Sequence, residues 1–136
     1  SVYPFHLHRQ SHPEVHQTAR RSVTTVRLDD LVPDYQFDMV VMDIQGAELE
    51  ALKGMGPLLA NVRVAYLEVN NRELYKGIPM VEELDLWLSA EGFKRLLTSW
   101  EGKKGWGDAV YVRRIGWLTQ LRALVEFRSS KTRRYR

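Results

Sequence analysis

The sequence predicts an α/β domain whose sheet is mostly parallel and closes with an antiparallel hairpin. Three observations lead there. Residues 37–44 and 62–69 are nearly continuous apolar runs, each with an acid near its C-terminal end, and a short helix-forming stretch lies between them. Continuous rather than alternating apolarity suits strands covered on both faces, and strand, helix, strand in that order is a βαβ unit. Residues 80–91 carry an amphipathic helical pattern, and two further strand-like runs follow, separated by a turn short enough to force a hairpin.

Taken in order, residues 1–22 are polar, hold two prolines and all four histidines, and read as an irregular segment. Val23–Leu28 is a short β-branched run of strand type, followed by a turn or single helical turn over 29–34. Phe37–Ile44 is the first continuous strand. Gly46–Lys53 is rich in helix formers, and Gly54 and Gly56 can end it. Pro57 can open a further turn with Leu58 and Leu59. Val62–Val69 is the next strand. In the helix over 80–91, Val81, Leu84, Trp87 and Leu88 share one face, Pro79 stands near the start and Gly92 just past the end. Phe93–Trp100 and Asp108–Arg113 are the hairpin strands around a Gly/Lys turn. Gly116–Phe127 reads as a last helix, with Trp117, Leu118, Leu121, Leu124 and Val125 on one face. The chain thus divides into an N-terminal segment (1–22), a folded part (23–113) and a helix with a basic tail (114–136).

Composition excludes several classes. With 136 residues and 44% hydrophobic residues the chain suits one globular domain rather than a disordered or collagen-like polymer. It has no cysteine, which removes disulfides, thiolate zinc sites and a catalytic thiol. No apolar run approaches the roughly 20 residues of a membrane span. The start lacks a basic stretch leading into an apolar one, so no signal peptide is read and a cytoplasmic protein is expected. The net charge of +3 is uneven: residues 113–136 hold eight of the 20 bases and one of the 17 acids, which leaves residues 1–112 at −4. The basic character therefore belongs to the tail. No specific nucleic-acid partner is expected; the tail reads as a solvated terminus, and the alternative is loose attraction to an anionic membrane surface or RNA, with the helix as an interfacial anchor.

Residues 37–56, FDMVVMDIQGAELEALKGMG, preceded by VTTVRLDDL at 23–31, carry a resemblance. The pattern T-x-x-L-D-x-L followed by D-[VI]-[EQ]-G-A-E-x-x-x-L-x-G resembles the core signature of the FkbM-type methyltransferases. VAYLEVNNRELYKG (64–77), LDLWLSAEGFK (84–94) and GDAVYV (107–112) are similar to later parts of that family. The resemblance implies a Rossmann-like, S-adenosylmethionine-dependent class I methyltransferase fold: a seven-stranded sheet with an antiparallel last hairpin. On that mapping 37–44 is the fourth strand, 62–69 the fifth, and 94–100 with 108–113 the last two. The first glycine of the chain is Gly46, and the only glycine cluster, residues 102–107, sits in the hairpin turn. The family's glycine-rich cofactor turn and first strands are therefore not in this chain, which is expected to be the C-terminal part of the domain.

The candidate site follows from strand ends, since ligands of open α/β sheets bind outside the carboxyl ends of the strands. Asp43 is the leading candidate for a base near the transferred methyl group, or for a cofactor or substrate contact; the competing reading is a cap on the next helix. Glu48 is a second catalytic candidate, with backbone bonding near the helix start as the competing reading. Asp43, Gln45 and Gly46 are expected to meet S-adenosylmethionine, and Glu68, Asn70 and Tyr75 the acceptor. Asp43, Glu68 and Asn70 also offer three oxygen ligands on neighbouring strand ends, enough to suggest a divalent cation, although no metal site is assigned. Glu50 and Lys53 read as a solvated pair and Trp87 as core. His6, His8, His12 and His16 read as a surface set, because Pro13 interrupts their helical spacing and structural zinc wants a closed four-ligand geometry. The expected activity is methyl transfer to a small-molecule hydroxyl on a sugar, lipid or polyketide-like acceptor. The alternative is a truncated, non-catalytic α/β module acting as a binding or scaffold unit.

Overall fold

The computed structural model describes residues 2–114 apart from 12, 17 and 20. The predicted helix over 116–127 and the basic tail lie outside the described residues. Four helices, one 3₁₀ turn and four strands are described: α1 (His8–Ser11), α2 (Leu28–Leu31), β1 (Met39–Met42), α3 (Glu48–Lys53), the 3₁₀ turn (Gly56–Asn61), β2 (Val64–Asn70), α4 (Val81–Ala90), β3 (Phe93–Trp100) and β4 (Trp106–Arg113).

The strands form one sheet in the order β1-β2-β4-β3. β1 and β2 are parallel, with Met42 beside Leu67; β4 runs antiparallel to both β2 and β3. The hairpin register slips once, between Arg95 and Leu97. The crossover from β1 to β2 runs through α3 and the 3₁₀ turn, which Pro57 helps open. α4 starts where Glu83 reaches back to accept the Met80 N–H at 2.9 Å. That closes a backbone donor that the helix start leaves without a partner.

Both helical layers pack on one face of the sheet. Leu52, Met55, Leu58, Leu59 and Val62 from the crossover meet Ala65, Leu67 and Val69 of β2, Val81, Leu84 and Leu88 of α4, and Phe93, Ala109 and Tyr111 of the hairpin. Trp87 packs against this core, as its spacing predicts. Two polar devices tie the layers together. The Tyr111 hydroxyl donates to Asp85 of α4 at 2.9 Å, and Arg95 pairs with the same carboxylate at 2.8 Å. The Arg113 guanidinium donates to the carbonyls of Leu59, Val62 and Glu91 and lies 4.3 Å from the centroid of the Phe93 ring.

Two expectations are corrected. The run 37–44 was expected to be covered on both faces, but Val40 and Met42 face the core while Met39 and Val41 are 51% and 66% exposed. With Tyr66 and Leu97 they form a sheet face that no described element covers. The β-branched run Val23–Leu28 is not a strand: residues 21–27 are irregular, and Val23 and Val26 are exposed. Among the described strands β1 leaves its outer edge open, but Val23–Leu28 does not pair with it, and β-propensity without a pairing partner does not make a strand. What anchors the segment is local. Leu28 and Asp29 N–H both donate to the Gly54 carbonyl, and Arg27 pairs with Asp29 at 2.7 Å.

The N-terminal segment is also more ordered than an irregular reading implies. Besides the short α1, residues 4–8 lie along the loop after β2. His6 and His8 N–H donate to the Leu74 carbonyl, Lys76 N–H donates to Pro4, and Phe5 forms a bridge with Tyr75. Tyr3, Phe5 and Leu7 pack there against Leu74, Tyr75 and Ile78 in a second, smaller apolar cluster.

Candidate active site

Parallel strands present their carboxyl ends on one edge of the sheet, so the register that sets Met42 beside Leu67 also sets Asp43 beside Glu68. Residues after β1 then turn sharply. Gln45 and Gly46 both take positive φ, 52° and 98°, and a Cβ at Gly46 would overlap the Ile78 side chain. Glycine is required there by backbone conformation and by that close approach. Glu48, 1% exposed, folds back under the turn and accepts the Ile44 N–H on Oε1 at 2.9 Å. Burial pushes the Glu48 carboxyl up, and nearby backbone N–H groups offset part of that rise.

The two strand-end acids are coupled. Asp43 accepts a hydrogen bond from Gln45 Nε2 at 2.9 Å. Glu68, 9% exposed, is pushed up to about 8, first by burial, then by its hydrogen bond to Asp43 and by the charges of Asp43, Glu48 and Asp108. At neutral pH Glu68 is therefore protonated and donates to the Asp43 carboxylate, and the pair carries one negative charge. Tyr75, which is buried, is pushed up to about 12 by burial and by the acids nearby, so its hydroxyl keeps its proton.

Asp43, Gln45, Glu68 and Tyr75 line a common cavity of about 260 Å³, together with His8, Leu74 and Trp106. Four of the seven candidate site residues thus converge. The other three do not line it: Gly46 is covered by Ile78, Glu48 is turned onto the Ile44 amide, and Asn70 is 2% exposed with no hydrogen-bond partner for its Oδ1. The helix-cap reading of Asp43 is corrected as well. The residue flanking α3 is Ala47, with no side-chain cap, and the backbone amide within reach goes to Glu48 instead.

The suggested cation set gains no support. Among the described residues no group of three or more His, Asp or Glu side chains could hold a metal ion. Asn70 does not line the cavity that Asp43 and Glu68 share. Tyr66 lies on the open sheet face and not in the site. Glu50 and Lys53 form the expected exposed pair, at 2.8 Å.

Sequence reasoning missed His8, Leu74 and Trp106. The histidine cluster was read as surface, and His6 fits that reading, half exposed and paired with Glu73 at 3.3 Å. His8 does not: it lies against Phe5 and Tyr75 at centroid distances of 4.5 and 5.2 Å and reaches the cavity. No local signal separates the two residues, because a pairing some 67 residues apart in the chain places His8. His12 lies outside the described residues.

Comparison with known proteins identifies the family. The family model for the Methyltransferase FkbM domain matches residues 4–95. A curated relative, the 2-O-methyltransferase NoeI of Sinorhizobium fredii (strain NBRC 101917 / NGR234), is 39% identical over 74 residues, a stretch covering 52% of this chain and 30% of that protein. No solved structure matches the chain. Among the described residues no helix is long and apolar enough to cross a membrane.

Proposed function

This chain belongs to the FkbM methyltransferase domain family, and we propose that it takes part in S-adenosylmethionine-dependent methyl transfer to a hydroxyl oxygen, with Asp43 near the transfer site. The observation that carries this reading is the proton-sharing pair of Asp43 and Glu68 at the carboxyl ends of neighbouring parallel strands, inside a cavity. The sheet order and the antiparallel closing hairpin support a Rossmann-like class I fold, of which these strands would be the second half. The name of the relative supports an oxygen acceptor. A sugar, lipid or polyketide-like molecule is the acceptor class.

The cavity suits the sulfonium end of the cofactor. The acid pair supplies one negative charge for a cation, and the Tyr75 and Trp106 rings offer faces that attract one. Its volume lies just under the roughly 300–1,000 Å³ of whole-ligand pockets, so it admits part of that molecule rather than all of it. Asp43 and Gln45 would hold that end from the β1–α3 loop. Bound there, S-adenosylmethionine supplies an electrophilic methyl group.

The chain's own residues do the rest. Displacement in line is favoured by holding both reactants in place, and the site has rigid walls for this. Glu48 braces the β1–α3 turn from beneath, so Asp43 keeps its position when solvent or ligand enters. Glu68, protonated, keeps Asp43 in one orientation and stops the two carboxylates from repelling. Tyr75, also protonated, donates a hydrogen bond toward a hydroxyl or carboxylate oxygen. Leu74 and Trp106 exclude water from one side.

Titration calorimetry of the chain with S-adenosylmethionine tests this. The partial pocket predicts saturable binding with a Kd of about 0.1–1 mM, which is about −4 to −5.5 kcal/mol. Asp43→Asn removes the charge that faces the cation and weakens binding at least about tenfold. The small cavity favours a second reading, a non-catalytic α/β module. That reading gains if the folded chain gives no heat with S-adenosylmethionine at millimolar concentration.

A further inference from the structure

The methyl-transfer reading uses the two acids and leaves unexplained why a histidine from the far end of the chain joins them. His8 is delivered by the strap of residues 4–8, whose backbone pairs with residues 74–76. Its ring packs against both Phe5 and Tyr75, which also touch each other, and it lines the same cavity as Asp43 and Glu68. The family match begins at residue 4, so this strap belongs to the matched stretch rather than to a tail ahead of it.

We propose that His8 is the acceptor-side base of the site, its imidazole taking the proton of the acceptor hydroxyl as that oxygen attacks the methyl group. The proposal rests on the methyl-transfer reading. In the step, an oxygen lone pair forms the new C–O bond, the C–S bond breaks, its electron pair stays on sulfur, and the hydroxyl proton passes to the imidazole nitrogen. No other reactant is needed.

The remaining groups of the cavity are poorly placed for that proton. Asp43 already accepts from Gln45 Nε2 and from Glu68. Glu68 and Tyr75 both carry their own protons at neutral pH, so they donate. Gln45, Leu74 and Trp106 do not accept protons. Imidazole is the cavity's one side chain whose ordinary titration falls near neutrality, the best range for a general base. Asp43 and Gln45 from the β1–α3 loop, Glu68 from β2 and Tyr75 from the loop after β2 line the cavity with it; on the strap itself, His6 turns outward to Glu73. The single negative charge shared by Asp43 and Glu68 favours the imidazolium that the step creates.

The test has two arms on the intact chain. In the first, ring-labelled histidine resonances are followed against pH. His8 is expected to titrate lower in Asp43→Asn than in the native chain, by about half a pH unit or more, with His16 unmoved. A His8 titration indifferent to Asp43→Asn overturns the proposal. In the second, methyl transfer from S-adenosylmethionine is measured against pH, with methyl β-D-glucopyranoside and glycerol as hydroxyl probes. His8→Gln is expected to lower kcat about 100-fold or more with KM little changed, and to remove the rising limb of the pH profile. His6→Gln, which alters the strap outside the cavity, keeps kcat within about threefold. A His8→Gln variant that retains the native rate and rising limb overturns the proposal. If the native chain transfers no methyl group while His8 still responds to Asp43→Asn, the base role is overturned for this chain, and calorimetry with S-adenosylmethionine decides the methyl-transfer reading separately.

Discussion

Replacing Glu68 by glutamine should make the protein more stable at alkaline pH than the native chain. The Glu68 carboxyl is raised from 4.5 in the unfolded chain to about 8 in the fold, chiefly by burial and then by Asp43. Below pH 4.5 it is neutral in both states, and the fold carries no penalty. As pH rises from there toward 8 the unfolded state loses the proton while the folded state keeps it, so stability falls by about 1.4 kcal/mol per pH unit. Above pH 8 both states are ionised and the loss levels off at about 5 kcal/mol. Glutamine does not titrate, and its amide can still donate to Asp43, so Glu68→Gln lacks this slope. Urea unfolding at pH steps from 4 to 9, native chain against variant, reads the difference directly. The two curves should diverge by about 5 kcal/mol over that range. Curves that stay parallel between pH 5 and 8 would refute the coupling of Glu68 to Asp43 and to its buried setting.

Two further substitutions test the frame that holds the site. Gly46→Ala should cost about 2–4 kcal/mol in urea unfolding, because the residue takes φ 98° and its new methyl group would overlap Ile78. Arg113→Ala should cost about 2–4 kcal/mol by the same measurement, since it strips donors from the Leu59, Val62 and Glu91 carbonyls and uncovers the Phe93 ring.

Local pattern made much of this fold legible. The runs ending at Asp43 and Glu68 are strands because apolar continuity and bounding turns agree. The helix over 81–90 and the hairpin follow from periodicity and from a short Gly/Lys turn. The acid pair was legible for a topological reason: parallel neighbours deliver their carboxyl ends to one edge, whatever the side chains do elsewhere. What escaped depends on contacts between distant residues. Val23–Leu28 has strand composition but pairs with no described strand. Met39 and Val41 lie on an uncovered face that apolar continuity alone cannot reveal. Arg113 reads as a basic residue at a strand end, yet its guanidinium gathers three carbonyls from two other elements. His8 and His6 are two residues apart in similar surroundings, and only the pairing of the strap with Leu74 sends one into the cavity and leaves the other outside.

The central claim is that Asp43 and Glu68 hold a single proton between them at the mouth of adjacent parallel strands. Carboxyl-carbon NMR of the ¹³C-labelled chain, resolved at Glu68, measures this without any ligand. The account predicts that Glu68 stays protonated through pH 7, titrates near pH 8, and moves toward the ordinary carboxylate range in Asp43→Asn. A Glu68 carboxyl that titrates near 4.5 in the native chain would contradict it.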